Sequence, residues 1–111
     1  MNKTYVNLDV DQGTDYTAIF EMSRENNLPY DLTDYAITSQ LRKSNYSNTS
    51  VDFTTSLTDA ANGEFTIGLT HGQTANLQPS AKYLYDILIE KDSIITKIVS
   101  GIITITPSVT R

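Results

Sequence analysis

Apolar and polar residues alternate with period two over most of this 111-residue chain, the pattern of strands with one buried face. In Tyr5–Val10, Val6, Leu8 and Val10 fall on one face, and Tyr5, Asn7 and Asp9 on the other. Asp15–Met22 repeats the pattern with Tyr16, Ala18, Phe20 and Met22. The turn formers Asp11-Gln12-Gly13-Thr14 between these runs predict that they form an antiparallel hairpin. Ser23–Asp31 is polar, contains Pro29 and reads as a loop. Asp31–Tyr35 follows as a tight turn with Leu32 as its inward anchor. Ala36–Lys43 turns Ile37, Ser39 and Leu41 to the core, and Thr38, Gln40 and Arg42 away from it. Ser44–Ser50 has the composition of an exposed loop. Val51–Leu57 then sets Val51, Phe53, Thr55 and Leu57 on one face, and Glu64–Leu69 answers with Phe65, Ile67 and Leu69. Asn62-Gly63 between those two runs is a hairpin signal.

Thr70 stands at a helix N-cap position, and the residues after it support one or two helical turns. The stretch Asn76–Glu90 organises the back half. Leu77, Pro79 and Tyr83 have the spacing of a tyrosine corner, in which a hydroxyl near the start of a strand bonds to backbone just upstream. Tyr83, Tyr85, Ile87 and Ile89 share one face of that strand. Lys91-Asp92-Ser93 reads as a hairpin loop leading to a long last strand, Ile94–Thr106. This strand is apolar at both parities: Ile94, Ile98 and Ile102 on one face, Ile95, Val99, Ile103 and Ile105 on the other. An antiparallel strand with one wet face does not need that. Either a partner covers the second face, or Gly101 marks a bulge or close backbone approach that flips the alternation. On the covered-face reading, Ile98→Asp is expected to block assembly and leave a folded monomer.

About seven strands with turn signals at short intervals predict an all-β fold. The expected architecture is an immunoglobulin/fibronectin III-like β-sandwich of antiparallel strands with one short helical crossover, forming a single domain over residues 1–111. A small oligonucleotide-binding-type barrel is the competing architecture.

Composition narrows the chemistry. There is no Cys, hence no disulfide and no thiolate. The formal net charge is −5 and the eight Lys and Arg are scattered, which opposes binding to nucleic-acid phosphates. The first residues lack the apolar segment of a signal peptide, and no run approaches the ~20 apolar residues of a membrane helix. The expectation is a chain that folds in a reducing cytoplasm, with no membrane partner. His71 is the only His, too little for a zinc site. Asp9, Asp11 and Asp15 gather at a turn, but their spacing does not match a calcium loop. No catalytic, cofactor or metal residue is assigned. Tyr30, Tyr35 and Tyr46 lie in or beside loops, where an exposed ring can anchor a protein contact or stack on a sugar.

Two stretches carry a resemblance. One is DLTDYAITSQLRKS, from Asp31. The other runs from LTDAANG through FTIGLTHGQTANLQPSAKYLYDILI to the tail SGIITITPSVTR. This layout resembles small β-sandwich domains of tailed-bacteriophage structural proteins, including cyanophage virion proteins. It is more distantly similar to the N-terminal domains of phage upper baseplate proteins. Those chains share a DLTGY turn, a helix with QTA-L, a Y-x-Y-D strand and a terminal G-x-x-T-x-x-P-x-V-T-R. Asp34 stands where the family usually has Gly.

The resemblance implies a non-catalytic virion structural or interaction protein: a head decoration, neck, tail or baseplate component. Its implied partners are other virion proteins, met as a homo-oligomer or as several copies in a symmetric assembly. It implies no cofactor. The interface candidates are Ile94, Ile98, Ile102, Tyr30, Tyr35 and Tyr46. The alternative function is a carbohydrate-binding module for host-surface attachment, using Tyr30, Tyr35 and Tyr46.

Overall fold

Alternating burial is met by pairing two sheets face to face. The computed structural model describes residues 4–24, 26, 28–44 and 48–110. In chain order the strands are β1 (Thr4–Tyr5), β2 (Leu8–Asp11), β3 (Tyr16–Glu21), β4 (Ala36–Arg42), β5 (Val51–Asp52), β6 (Thr54–Asp59) and β7 (Glu64–Leu69). A 3-10 turn, Ala60–Asn62, joins β6 to β7, and the helix α1 (His71–Ala75), then β8 (Lys82–Lys91) and β9 (Ile94–Thr106), complete the described fold. The larger sheet has the order β5-β4-β8-β9, with β1 and β2 both on the far edge of β9. The smaller sheet is β3-β7-β6. All pairings are antiparallel except those of β1 and β2, which run parallel to β9. The chain is an all-β sandwich with one short helix before β8.

The core lies between the sheets. Val10, Leu32, Phe65, Ile67, Ile87 and Ile103 have no exposed surface. Phe20 stacks on Phe65 at 5.4 Å between ring centroids, and Phe53 meets Tyr85 edge-on at 6.1 Å. Leu32 anchors its turn from the loop side, its N–H donating to Ala60 O at 2.7 Å. Asp34, two residues on, has φ +68°. That left-handed conformation suits Gly, and Asp tolerates it better than most residues.

Two expected strands are each divided. The first breaks at Val6-Asn7 into β1 and β2. Val51–Leu57 breaks at Phe53, where the chain leaves the edge of β4 as β5 and joins β7 as β6. The expected hairpin between the first two runs is not formed: β2 pairs with β9 in one sheet and β3 with β7 in the other. Gln12–Asp15 therefore crosses from sheet to sheet instead of turning within one.

The back half is held by local hydrogen bonds. Thr70 caps α1 in a capping box: the Gln73 N–H donates to Thr70 Oγ1 at 3.2 Å, and the Thr70 N–H to Gln73 Oε1 at 2.9 Å. The Tyr83 hydroxyl accepts from the Gln78 N–H at 2.9 Å. Leu77 is buried beneath this link, and Pro79 is exposed above it. Asp92 and Ser93, with φ of +54° and +65°, form the tight turn between β8 and β9, of the mirror-image kind that matches the twist of a hairpin.

The alternation in β9 flips at Ile98, not at Gly101. Ile87 is opposite Val99 and Leu88 is opposite Lys97, which leaves Ile98 as the extra residue of a bulge. Ile98 and Val99 are both buried; beyond them Ile103 and Ile105 face the core and Ile102 and Thr104 face outward. Gly101 has a different task. A Cβ there would lie 2.0 Å from Val6 O. The backbone at Val6 passes too close to Gly101 for any side chain there, and Val6 O accepts from the Tyr85 hydroxyl at 2.6 Å.

Candidate functional site

Three surfaces hold the candidate residues. The first is a groove of about 600 Å³ on the outer face of the larger sheet. Outward positions of adjacent strands build it: Gln40 and Arg42 from β4, Leu84, Asp86 and Leu88 from β8, and Lys97, Ser100 and Ile102 from β9. Tyr5 and Asn7 from the edge beside β9, with Tyr85 and Gly101, complete the lining. Leu84 and Leu88 are half-buried although they face away from the core. Polar side chains cross-link above them. Lys97 Nζ lies 3.4 Å from Asp86 Oδ2. Arg42 donates to Gln40 Oε1 at 3.1 Å, and Gln40 Nε2 to Asp52 Oδ1 at 2.7 Å. Asn7 Oδ1 accepts from the Ile102 N–H at 3.1 Å.

Of the groove residues, only Ile102 is an interface candidate from the sequence; Tyr85 and Gly101 stand out there for structural reasons. The signal was present in Tyr83–Glu90, where both parities are rich in apolar residues. The inward row Tyr83, Tyr85, Ile87 and Ile89 accounts for the strand by itself, and the apolar residues of the outward row Leu84, Asp86 and Leu88 are the signal of the groove.

The second surface is one end of the sandwich. Tyr30 and Tyr35 meet there edge-on at 6.1 Å, their hydroxyls 3.1 Å apart. The hydrogen bond to Tyr35 holds the Tyr30 phenol above its ordinary pKa. Each ring carries a cation: Arg24 lies 5.9 Å from the Tyr30 centroid, and Lys91 Nζ 5.3 Å from that of Tyr35. Asp31 lies below the usual carboxylate range, because the Thr33 hydroxyl and then the Thr33 N–H donate to it. Tyr46 lies outside the described residues.

The third surface is the tip of the β8–β9 hairpin, at the same end. Ile94 and Ile95 are 68% and 60% exposed. Being consecutive in a strand, they point to opposite faces. The expectation that Ile94, Ile98 and Ile102 share one face is corrected by the bulge. Ile94 is at the tip, Ile98 is 2% exposed within the core, and Ile102 looks into the groove. Ile98 cannot contact a partner without unfolding the sandwich around it.

His71 sits at the start of α1. Its N–H donates to Asp15 Oδ1 at 2.7 Å, and its ring Nδ1 lies 3.0 Å from the same oxygen. The backbone bond, then the ring bond, hold the Asp15 carboxyl below its ordinary pKa. Both side chains are exposed, and the pair ties α1 to the sheet-crossing segment before β3. Asp9, Asp11 and Asp15 do not converge: among the described residues, no three His, Cys, Asp or Glu side chains form a group that could hold a metal ion. No helix among the described residues is long and apolar enough to cross a membrane. No protein-family model matches the chain, and no curated protein matches it by sequence.

Proposed function

We propose that the protein is a non-catalytic structural component of a tailed-bacteriophage virion, docking on other virion proteins through the end of the sandwich that carries the β8–β9 tip. The exposed pair Ile94 and Ile95 carries the reading: two large apolar side chains on opposite faces of a protruding hairpin cost solubility unless another surface covers them. The ordered sequence motifs from Leu32 to Arg111 support the phage assignment. An immunoglobulin-like, fibronectin III-type arrangement is part of the same proposal. It is supported by the Gln78–Tyr83 bond ahead of β8 and by the parallel edge strand beside β9.

The contact is built from Ile94 and Ile95, with Tyr30 and Tyr35 as its rim, and several copies occupy symmetry-related positions. Mass spectrometry of purified particles tests the reading. The chain is expected in them at a fixed copy number, and its absence would overturn the virion assignment. The carbohydrate reading on the loop tyrosines loses ground, since cations lie over the Tyr30 and Tyr35 rings where a sugar would stack.

A further inference from the structure

The Asn62-Gly63 step, a hairpin signal in the sequence, also carries chemistry. Asn62 ends the 3-10 turn between β6 and β7, and Gly63 follows it with φ +75°. No other Asn in the sequence precedes a Gly. Such a pair is the least hindered for loss of the side-chain amide, because Gly places no Cβ beside the attacking backbone nitrogen. We propose that Asn62 is a deamidation site that the folded turn holds closed and that opening of the turn releases.

In the reaction the Gly63 nitrogen gives up its proton and attacks Asn62 Cγ. The new C–N bond closes a cyclic imide, the Cγ–Nδ2 bond breaks, and ammonia leaves with that proton. Water then opens the imide at either carbonyl, giving aspartate or isoaspartate. The turn opposes the first step twice. The Gly63 N–H donates to Ala60 O at 3.1 Å, which holds the proton that has to leave. Asn62 Nδ2 donates to Asp59 Oδ2 at 2.8 Å, which anchors the amide. The frame is fixed from outside as well: Gly63 O accepts from the Met22 N–H at 2.9 Å, and Ala60 O accepts also from the Leu32 N–H at 2.7 Å. Gly63 is buried and Asn62 is exposed, so water has access to the imide once it forms.

The product does not fit the turn. A carboxylate replaces the donor that faced Asp59, and like charges at that separation repel. Isoaspartate adds one carbon to the backbone path, and the packing gives it no slack: even a Cβ on Gly63 would lie 2.6 Å from Met22 O and 2.7 Å from Tyr30 O. Modification therefore loosens the anchor of Leu32 and the chain at Tyr30. The inference stands whether or not that end of the sandwich docks on a partner.

Peptide mass spectrometry of the full chain held in mildly alkaline buffer, with and without urea, tests it, with isoaspartate scored by enzymatic methylation. In urea, Asn62 is expected to react ahead of every other Asn. In the folded chain its reaction is expected to be slower by about tenfold or more, since it waits on opening of the turn. Asp59→Ala is expected to speed the folded-state reaction several-fold, and Asp59→Asn, which keeps an acceptor, to leave it slow. The wild-type comparison needs no variant to fold. Equal rates with and without urea would overturn the closed turn. Another Asn reacting first in urea, or isoaspartate persisting at wild-type level in Asn62→Gln, would overturn the site.

Discussion

Gly101 has no room for a methyl group: a Cβ would meet Val6 O at 2.0 Å and the Tyr85 ring at 3.1 Å. Gly101→Ala must push the N-terminal edge off β9 or break the Tyr85–Val6 hydrogen bond. Overpacking of this kind costs about 1–3 kcal/mol, and an orphaned buried hydroxyl adds to it. Chemical denaturation should show that loss with an unchanged fold at low denaturant. Tyr85 also sets the response to alkali. Burial, then the neighbouring Tyr16, pushes its phenol up to about 12. The unfolded chain releases this proton near pH ~10, so Tyr85 makes its full contribution to stability below that pH. The contribution is lost as pH rises from about 10 through the folded value near 12. Urea midpoints across this window should fall in the wild type and fall less steeply in Tyr85→Phe.

At the scale of elements, Ile98 decides how β9 is divided between core and surface. Ile98→Asp buries an unpaired charge among core residues, at a cost of several kcal/mol, comparable to the whole stability of a small domain. The variant should fail to fold, in contrast to the folded monomer that the unbroken alternation implies. Ile94→Asp at the exposed tip should melt within a few degrees of wild type and lose incorporation into particles. Thermal unfolding followed by a particle-incorporation assay separates the two.

The strands themselves were legible, because alternation such as Phe65, Ile67, Leu69 needs only local information. The pairing partners were not. Gln12-Gly13 reads as a turn, but whether the chain then pairs with its neighbour or crosses to the other sheet depends on burying Val10 against Ile105 and Phe20 against Phe65. Phe53 likewise gives no local sign that the chain changes sheets there. The bulge at Ile98 was hidden for the same reason. A double apolar parity announces that the alternation must flip or be covered, but the flipping residue is set by register with Ile87 and Leu88 across the hairpin. Of the candidate site, the tip and the tyrosine end could be read as apolar residues beside turns. The groove assembles outward positions from four separate strand regions and exists only once their order is known.

At the scale of the whole molecule, the candidate surfaces are spatially separate. The end bearing Tyr30, Tyr35, Ile94 and Ile95 is the proposed docking end, and the groove is on one broad face. The opposite end is closed by α1 and the Gln78–Tyr83 link. Lysines mark these regions: Lys91 sits beside the tip, paired in register with Ile94, and Lys97 lines the groove. Lys82 and Lys43 belong to the far end, Lys43 donating to Gln78 Oε1 at 2.6 Å. Cross-linking mass spectrometry on intact purified particles reads this geography directly. The account predicts that Lys91 links to another virion protein in assembled particles, and that Lys43 and Lys82 do not. A chain missing from the particles, or cross-links confined to Lys43 and Lys82, would contradict it.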